Sequence, residues 1–105
     1  MLIHNVYFWF KEGVSEAEKS DFEQGIRDLA AAVPQVQQAR VGRPAATPAR
    51  EVVDHSFGRS LFFWFNNVED HNAYQAHPAH ELFVQKFQHL WARVQVMDSQ
   101  LGGGG

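Results

Sequence analysis

Two runs in this chain are apolar on both faces when laid out as strands, and few folds accommodate that. Leu2 to Phe10 is rich in β-branched and aromatic residues and reads as a strand. So does Phe57 to Asn66, centred on Leu61-Phe62-Phe63-Trp64-Phe65. Alternate side chains of a strand point to opposite faces. In the first run His4, Val6, Phe8 and Phe10 share one face, and Ile3, Asn5, Tyr7 and Trp9 share the other. In the second, Leu61, Phe63 and Phe65 lie opposite Phe62 and Trp64. Strands of this kind need cover on both sides, so both belong in the middle of a sheet.

Weaker segments supply the remaining elements. Ser15 and Glu18 form a capping box that starts a helix, since each side chain can satisfy the other's free amide. Its apolar residues Phe22, Ile26, Leu29, Ala30 and Val33 make one stripe, and Pro34 stops it. Gln35 to Val41 reads as a polar strand, and Gly42 to about His55 as a loop holding Pro44 and Pro48. Asn66 or Asn67 caps a helix over Val68 to Ala76. Pro78 breaks that helix and restarts it, with His77 as the cap, and the second piece runs to about His89. Trp91 to Asp98 is the last strand.

The predicted order is β-α-β-β-α-β, with the two polar strands at the sheet edges. That is an α+β, ferredoxin-like sandwich with an antiparallel sheet of strand order 4-1-3-2 and helices on one face. A single domain spans 1-98, and 99-105, which ends in four glycines, reads as a flexible tail.

Such a sheet leaves its other face bare, with Tyr7, Trp9, Phe62 and Trp64 on it. Burying each of these rings is worth roughly 1.5–3 kcal/mol, and a single wet apolar patch of them invites aggregation. The predicted solution is a homodimer packed sheet against sheet, which closes an α+β barrel. The alternative is that the Gly42 to His55 loop folds over the face.

Composition narrows the functional classes. The chain has 105 residues, enough for one domain, which has no room for a large cavity unless a second copy helps. The net charge is -3, with no basic stripe, so nucleic acid is not expected as a partner. There are no cysteines, which excludes disulfides, thiolate nucleophiles and Cys-based metal sites. No apolar stretch approaches the roughly 20 residues of a membrane span. The opening MLIHNVYFWFKEG lacks the basic start and long apolar run of a signal peptide, so the expected location is cytoplasmic.

Three pieces together carry a resemblance to a known family: Ile3-His4-Asn5-Val6 leading into a Phe-rich strand, Phe65-Asn66-Asn67-Val68 entering a helix, and Tyr74-Gln75-Ala76-His77-Pro78-Ala79-His80 followed by Phe83. The chain resembles the stress-responsive dimeric A/B-barrel (Dabb) family over nearly its whole length up to Asp98. The resemblance implies a ferredoxin-like subunit and a barrel-forming dimer. Most relatives are stress-linked or uncharacterised. The family also includes a plant polyketide cyclase that performs an aldol condensation without metal or cofactor. Its catalytic Tyr and His fall on Tyr74 and His80, and its first-strand pocket histidine falls on His4. A further histidine falls near Arg59, where this sequence departs. Two aromatic or apolar pocket positions fall on Glu23 and Arg27, a second departure that points away from the same substrate.

The residues themselves support a site in that region. His80, Phe83 and Phe87 are spaced i, i+3, i+7, so His80 shares a helix face with two phenylalanines. His4 shares its strand face with Val6 and Phe8. The predicted chamber between them is lined by Phe22 and Ile26 from the first helix, Leu61 and Phe63 from the third strand, and Trp91, Val94 and Val96 near the end. Arg59 is expected at its mouth. Neutral imidazole can abstract a proton beside a carbonyl, and a phenol can hydrogen-bond the resulting enolate. His80 is therefore assigned as base, Tyr74 as oxyanion donor and His4 as positioning partner. The alternative is that the histidines are satisfied polar groups of the core and Tyr74 is filler. No cofactor and no metal are expected, because His77 and His80 flank a proline cap and need not converge. His55, His71 and His89 read as exposed polar positions. Three functions stay open: a homodimer that binds a small organic ligand, an acid–base enzyme of cyclase, isomerase or lyase type, and, by fold analogy alone, a cofactor-independent oxygenase.

Overall fold

The chain enters its sheet at once. In the computed structural model, which describes residues 1–102, the elements run β1 (Leu2–Phe10), α1 (Glu16–Ala32), β2 (Gln38–Gly42), β3 (Arg59–Phe65), α2 (Val68–Ala76), α3 (Pro78–Phe87), a 3₁₀ turn (Gln88–Leu90) and β4 (Trp91–Gln100). The four strands form one antiparallel sheet in the order β2-β3-β1-β4, which is 4-1-3-2 read from the other edge. The two doubly apolar strands are central, as the pattern requires. Val6 lies opposite Leu61 on one side and Val96 on the other, while His4 lies opposite Phe63 and Asp98.

Each helix starts where its chemistry dictates. The Glu18 amide donates to Ser15 Oγ at 3.1 Å, and the Ser15 amide donates to Glu18 Oε1 at 3.0 Å. Asn67 Oδ1 accepts from the Asp70 amide and opens α2. The His77 ring caps α3, its Nδ1 accepting from the Ala79 amide at 3.0 Å, with Pro78 at the first helical position. Extended backbone at His77 therefore separates α2 from α3.

The three helices cover one sheet face. The core between them holds Leu2, Val6, Phe8, Leu61, Phe63 and Phe65 from the sheet and Phe22, Ile26, Leu29, Tyr74, Phe83 and Phe87 from the helices. Phe22 is its hub, with ring centroids 4.8 Å from Phe8, 5.3 Å from Phe87 and 5.7 Å from Phe83. Such aromatic pairs are worth about 0.5–1.5 kcal/mol each beyond the area they bury. Gly25 lets α1 approach α3 closely, because a Cβ there would lie 2.2 Å from the Phe87 ring.

On the opposite face Ile3, Asn5, Tyr7, Trp9, Phe62 and Trp64 are only half-buried. The loop between β2 and β3 covers part of it. Phe57 sits edge-on to Tyr7 at 5.0 Å, and Trp9 Nε1 donates to Ser56 Oγ at 2.8 Å. The loop and the sheet enclose a groove of about 620 Å³ between them. The loop thus covers one end of the face and leaves the Ile3 and Trp64 end without a layer.

Some boundaries differ from the sequence reading. Phe57 and Gly58 belong to the loop rather than to β3: Phe57 packs edge to face with Tyr7, and Gly58 donates its amide to the Phe8 carbonyl outside the regular ladder. β2 begins at Gln38 rather than Gln35, and α3 ends at Phe87, passing into the 3₁₀ turn. β4 runs to Gln100, and the Leu101 amide donates to the Met1 carbonyl at 2.9 Å, so the strand crosses the boundary placed at Asp98. The part of the predicted tail at 103–105 lies outside the described residues.

Candidate functional site

Beneath α2 and α3 the packing opens into a cleft of about 160 Å³. β1 contributes His4, Val6 and Phe8, β3 contributes Leu61, and the helices contribute Tyr74, His80 and Phe83. Trp91, Val94 and Val96 close the β4 side. Gln75 and Val84 also line it, and the sequence reading did not name them.

Four of the predicted lining residues lie elsewhere. Phe22, Ile26 and Phe63 are fully buried, packed against other core side chains with no free surface to present. Arg59 does not stand at a mouth. It is buried at the far side of the core, where its Nε donates to Glu23 Oε1 at 2.5 Å and its Nη1 to the Gly58 carbonyl at 2.8 Å. Arg43 donates to the same Glu23 oxygen at 2.9 Å, and Arg27 lies 3.9 Å from the other. Glu23, Arg27 and Arg59, the three departures from the cyclase pattern, are therefore one ion-pair cluster.

Within the cleft the three predicted chemical residues come together. The Tyr74 and His80 rings are 4.9 Å apart, centroid to centroid, in an edge-to-face arrangement, and His4 and Tyr74 are 5.7 Å apart. His4 is buried, and its Nδ1 is hydrogen-bonded to Asp98 Oδ1 at 2.5 Å. The partner is a side-chain carboxylate, where a purely structural histidine more often uses a backbone carbonyl. Among the described residues the His80 ring has no side-chain or backbone hydrogen-bond partner, and the buried indole N–H of Trp91 has none either.

Burial sets the protonation states. It lowers the His4 pKa below its ordinary value, against the opposing pull of Asp98. It lowers that of His80 too, with His4 and His71 as further causes, so this imidazole is neutral at pH 7. Burial raises the Tyr74 phenol well above its ordinary range, with Asp98 adding to the effect. The cleft thus holds an unprotonated base beside a phenol that keeps its proton.

His77 takes no part beyond capping α3. His71, read from sequence as exposed, is half-buried, its ring centroid 4.9 Å from that of His4. Helical spacing could have shown this, because His71 and Tyr74 are three apart and share a face. Asp98 was missed as well, although it follows Val94 and Val96 at intervals of two and so shares their strand face.

The model for the stress responsive A/B barrel domain matches residues 2–101. The chain belongs to that family. Similar solved structures extend the comparison. A protein from Arabidopsis thaliana superposes with a TM-score of 0.84 at 22% identity, covering 98% of this chain and 97% of that one. A hydroxynitrile lyase from Passiflora edulis gives 0.83 at 18% identity, covering 97% and 94%. A dimeric ferredoxin-like protein of unknown function from Thermobifida fusca gives 0.78 at 16%, covering 95% and 90%. At these identities the shared property is the fold. No functionally curated protein matches the sequence.

Proposed function

We propose that this A/B-barrel chain works as a homodimer in which each protomer uses the His4–Tyr74–His80 cleft to transfer a proton on a small, largely apolar carbonyl or hydroxyl compound. The observation that carries the reading is the pairing of a neutral His80 with a Tyr74 phenol that stays protonated, edge to face at 4.9 Å in the same cleft. His80 takes the proton as general base. Tyr74 donates a hydrogen bond to the oxygen on which charge develops. The free indole N–H of Trp91 is available to a substrate acceptor. Asp98 holds His4, which orients the occupant.

The cleft volume favours a compact substrate. The hydroxynitrile lyase of the same fold supports lyase or isomerase chemistry of this size. Ligand binding without turnover is the coarser form of the same reading, and Arg59 in place of a histidine favours it.

The dimer rests on the sheet face that the β2–β3 loop leaves uncovered and on the dimeric neighbour. No helix among the described residues is long and apolar enough to cross a membrane.

The test is proton exchange in D₂O, followed by NMR, over a panel of small ketones, aldehydes and hydroxynitriles. The wild type is expected to exchange the acidic proton of at least one class. His80→Ala is expected to abolish that exchange while the protein remains dimeric. Exchange that survives His80→Ala overturns the assignment.

A further inference from the structure

A third imidazole stands beside this cleft, and proton transfer makes no use of it. His71 lies on α2, one turn before Tyr74, and faces His4 on β1 and Asp98 on β4. We propose that His4, His71 and Asp98 bind a single divalent first-row transition-metal ion, with zinc as the natural probe.

The geometry is close to what such an ion needs. One donor atom from each of the three residues lies within 4.8 Å of the other two. A tetrahedral ion with bonds of about 2.0–2.2 Å spaces its donors roughly 3.4 Å apart. Small rotations of two rings and a carboxylate cover the difference. The three donors come from two strands and a helix, so the backbone that holds them is rigid.

The protonation states also suit a cation. His71 Nδ1 faces the Asn72 side-chain oxygen at 3.2 Å. An amide oxygen only accepts, so Nδ1 carries the ring proton and Nε2 presents a lone pair. That Nε2 is buried and has no partner. A buried acceptor without a donor is costly, and an ion satisfies it. The Asn72 contact is the kind of outer bond that fixes the tautomer of a metal-bound histidine. His4 already touches the carboxylate through Nδ1. The Asp98 side chain is 38% exposed, which gives an ion a way in. Two imidazoles and one carboxylate leave coordination positions open to water or a small ligand, as in catalytic rather than structural sites.

The site rests on these three side chains and not on the base role of His80, so either proposal can fail alone. The experiment uses the full chain without an affinity tag, stripped with a chelator. Zn²⁺ is titrated by calorimetry and Co²⁺ by visible absorption. One ion per chain and the d–d bands of low-coordinate cobalt are expected. Asn72→Ala is expected to weaken binding about 10-fold. His71→Ala and Asp98→Asn are expected to weaken it by at least the roughly 100-fold that outer-shell changes reach, with the circular dichroism of the native fold retained. His89→Ala, on the exposed 3₁₀ turn, is expected to leave affinity unchanged. No binding by the wild type overturns the proposal. So does binding that His71→Ala and Asp98→Asn leave intact, which would place the ion on surface histidines.

Discussion

Replacing Glu23 by glutamine tests whether its cluster with Arg59 and Arg43 is an ion pair in energy as well as in geometry. Glu23 is 8% exposed and Arg59 7%. The substitution keeps the size of the side chain and one acceptor oxygen, and removes the charge that faces Arg59 and Arg43. Stripping one partner from a fully buried pair costs about 3–5 kcal/mol. The glutamine carbonyl can still accept one bond from Arg59, and Arg43 lies on the solvent side. The expected loss is therefore about 2–3 kcal/mol at pH 7. The Arg43 hydrogen bond, followed by Arg59, holds the Glu23 carboxyl below its ordinary value of 4.5. A carboxyl depressed by folding contributes stability above its unfolded pKa and loses it as pH falls through the folded value. The gap between wild type and variant should thus be full at pH 7 and shrink below about pH 4. Urea unfolding at fixed protein concentration measures it, since a dimer's stability depends on concentration. A gap below about 0.5 kcal/mol at pH 7, or an equal gap at pH 3, refutes the reasoning.

Further outcomes follow from the other elements. Trp64→Glu puts a charge in the centre of the uncovered sheet face and is expected to yield monomers or unfolded chain in sedimentation velocity; a soluble dimer would refute that face as the interface. Gly25→Ala drives a methyl group into the Phe87 ring and should cost about 1–3 kcal/mol in urea unfolding, with Gly13→Ala unsuitable as a control because φ is +84° there. Any turnover should be level from pH 7 upward and fall only on acidification below the ordinary histidine value of 6.5, because burial lowers the His80 pKa and activity needs the neutral ring; a fall beginning above pH 7 would point to a different base.

The framework was legible because it follows from alternation and caps. The two doubly apolar strands, the Ser15–Glu18 box and the proline at the start of α3 each have one physical solution, and the structure adopts it. The face of each cleft residue on β1 and α3 was legible for the same reason. Depth was not. Phe22, Ile26 and Phe63 have the right faces to line a chamber, but how far neighbouring rings fill it depends on packing across the sequence, and Phe22 alone meets five aromatic rings on three elements. Arg59 illustrates the second limit. Its partner Glu23 lies 36 residues away, and no local pattern announces an ion pair between a helix and a strand. The face of His71 and of Asp98 is carried by the sequence, at a spacing of three from Tyr74 on α2 and of two from Val96 on β4.

The extended residue between α2 and α3 has a consequence for the chemistry. Tyr74 and His80 are six residues apart, and along an unbroken α-helix such residues are separated by roughly 240° of rotation, so the two rings would face different surroundings. Because His77 and Pro78 interrupt the screw, α2 and α3 meet as two short rods, and both rings turn toward the same space. The distance between imidazole and phenol then depends on the backbone angles at His77. A change at that joint would retune the spacing of the pair without touching either residue, which makes the His-Pro step the dial of the site rather than one of its reagents.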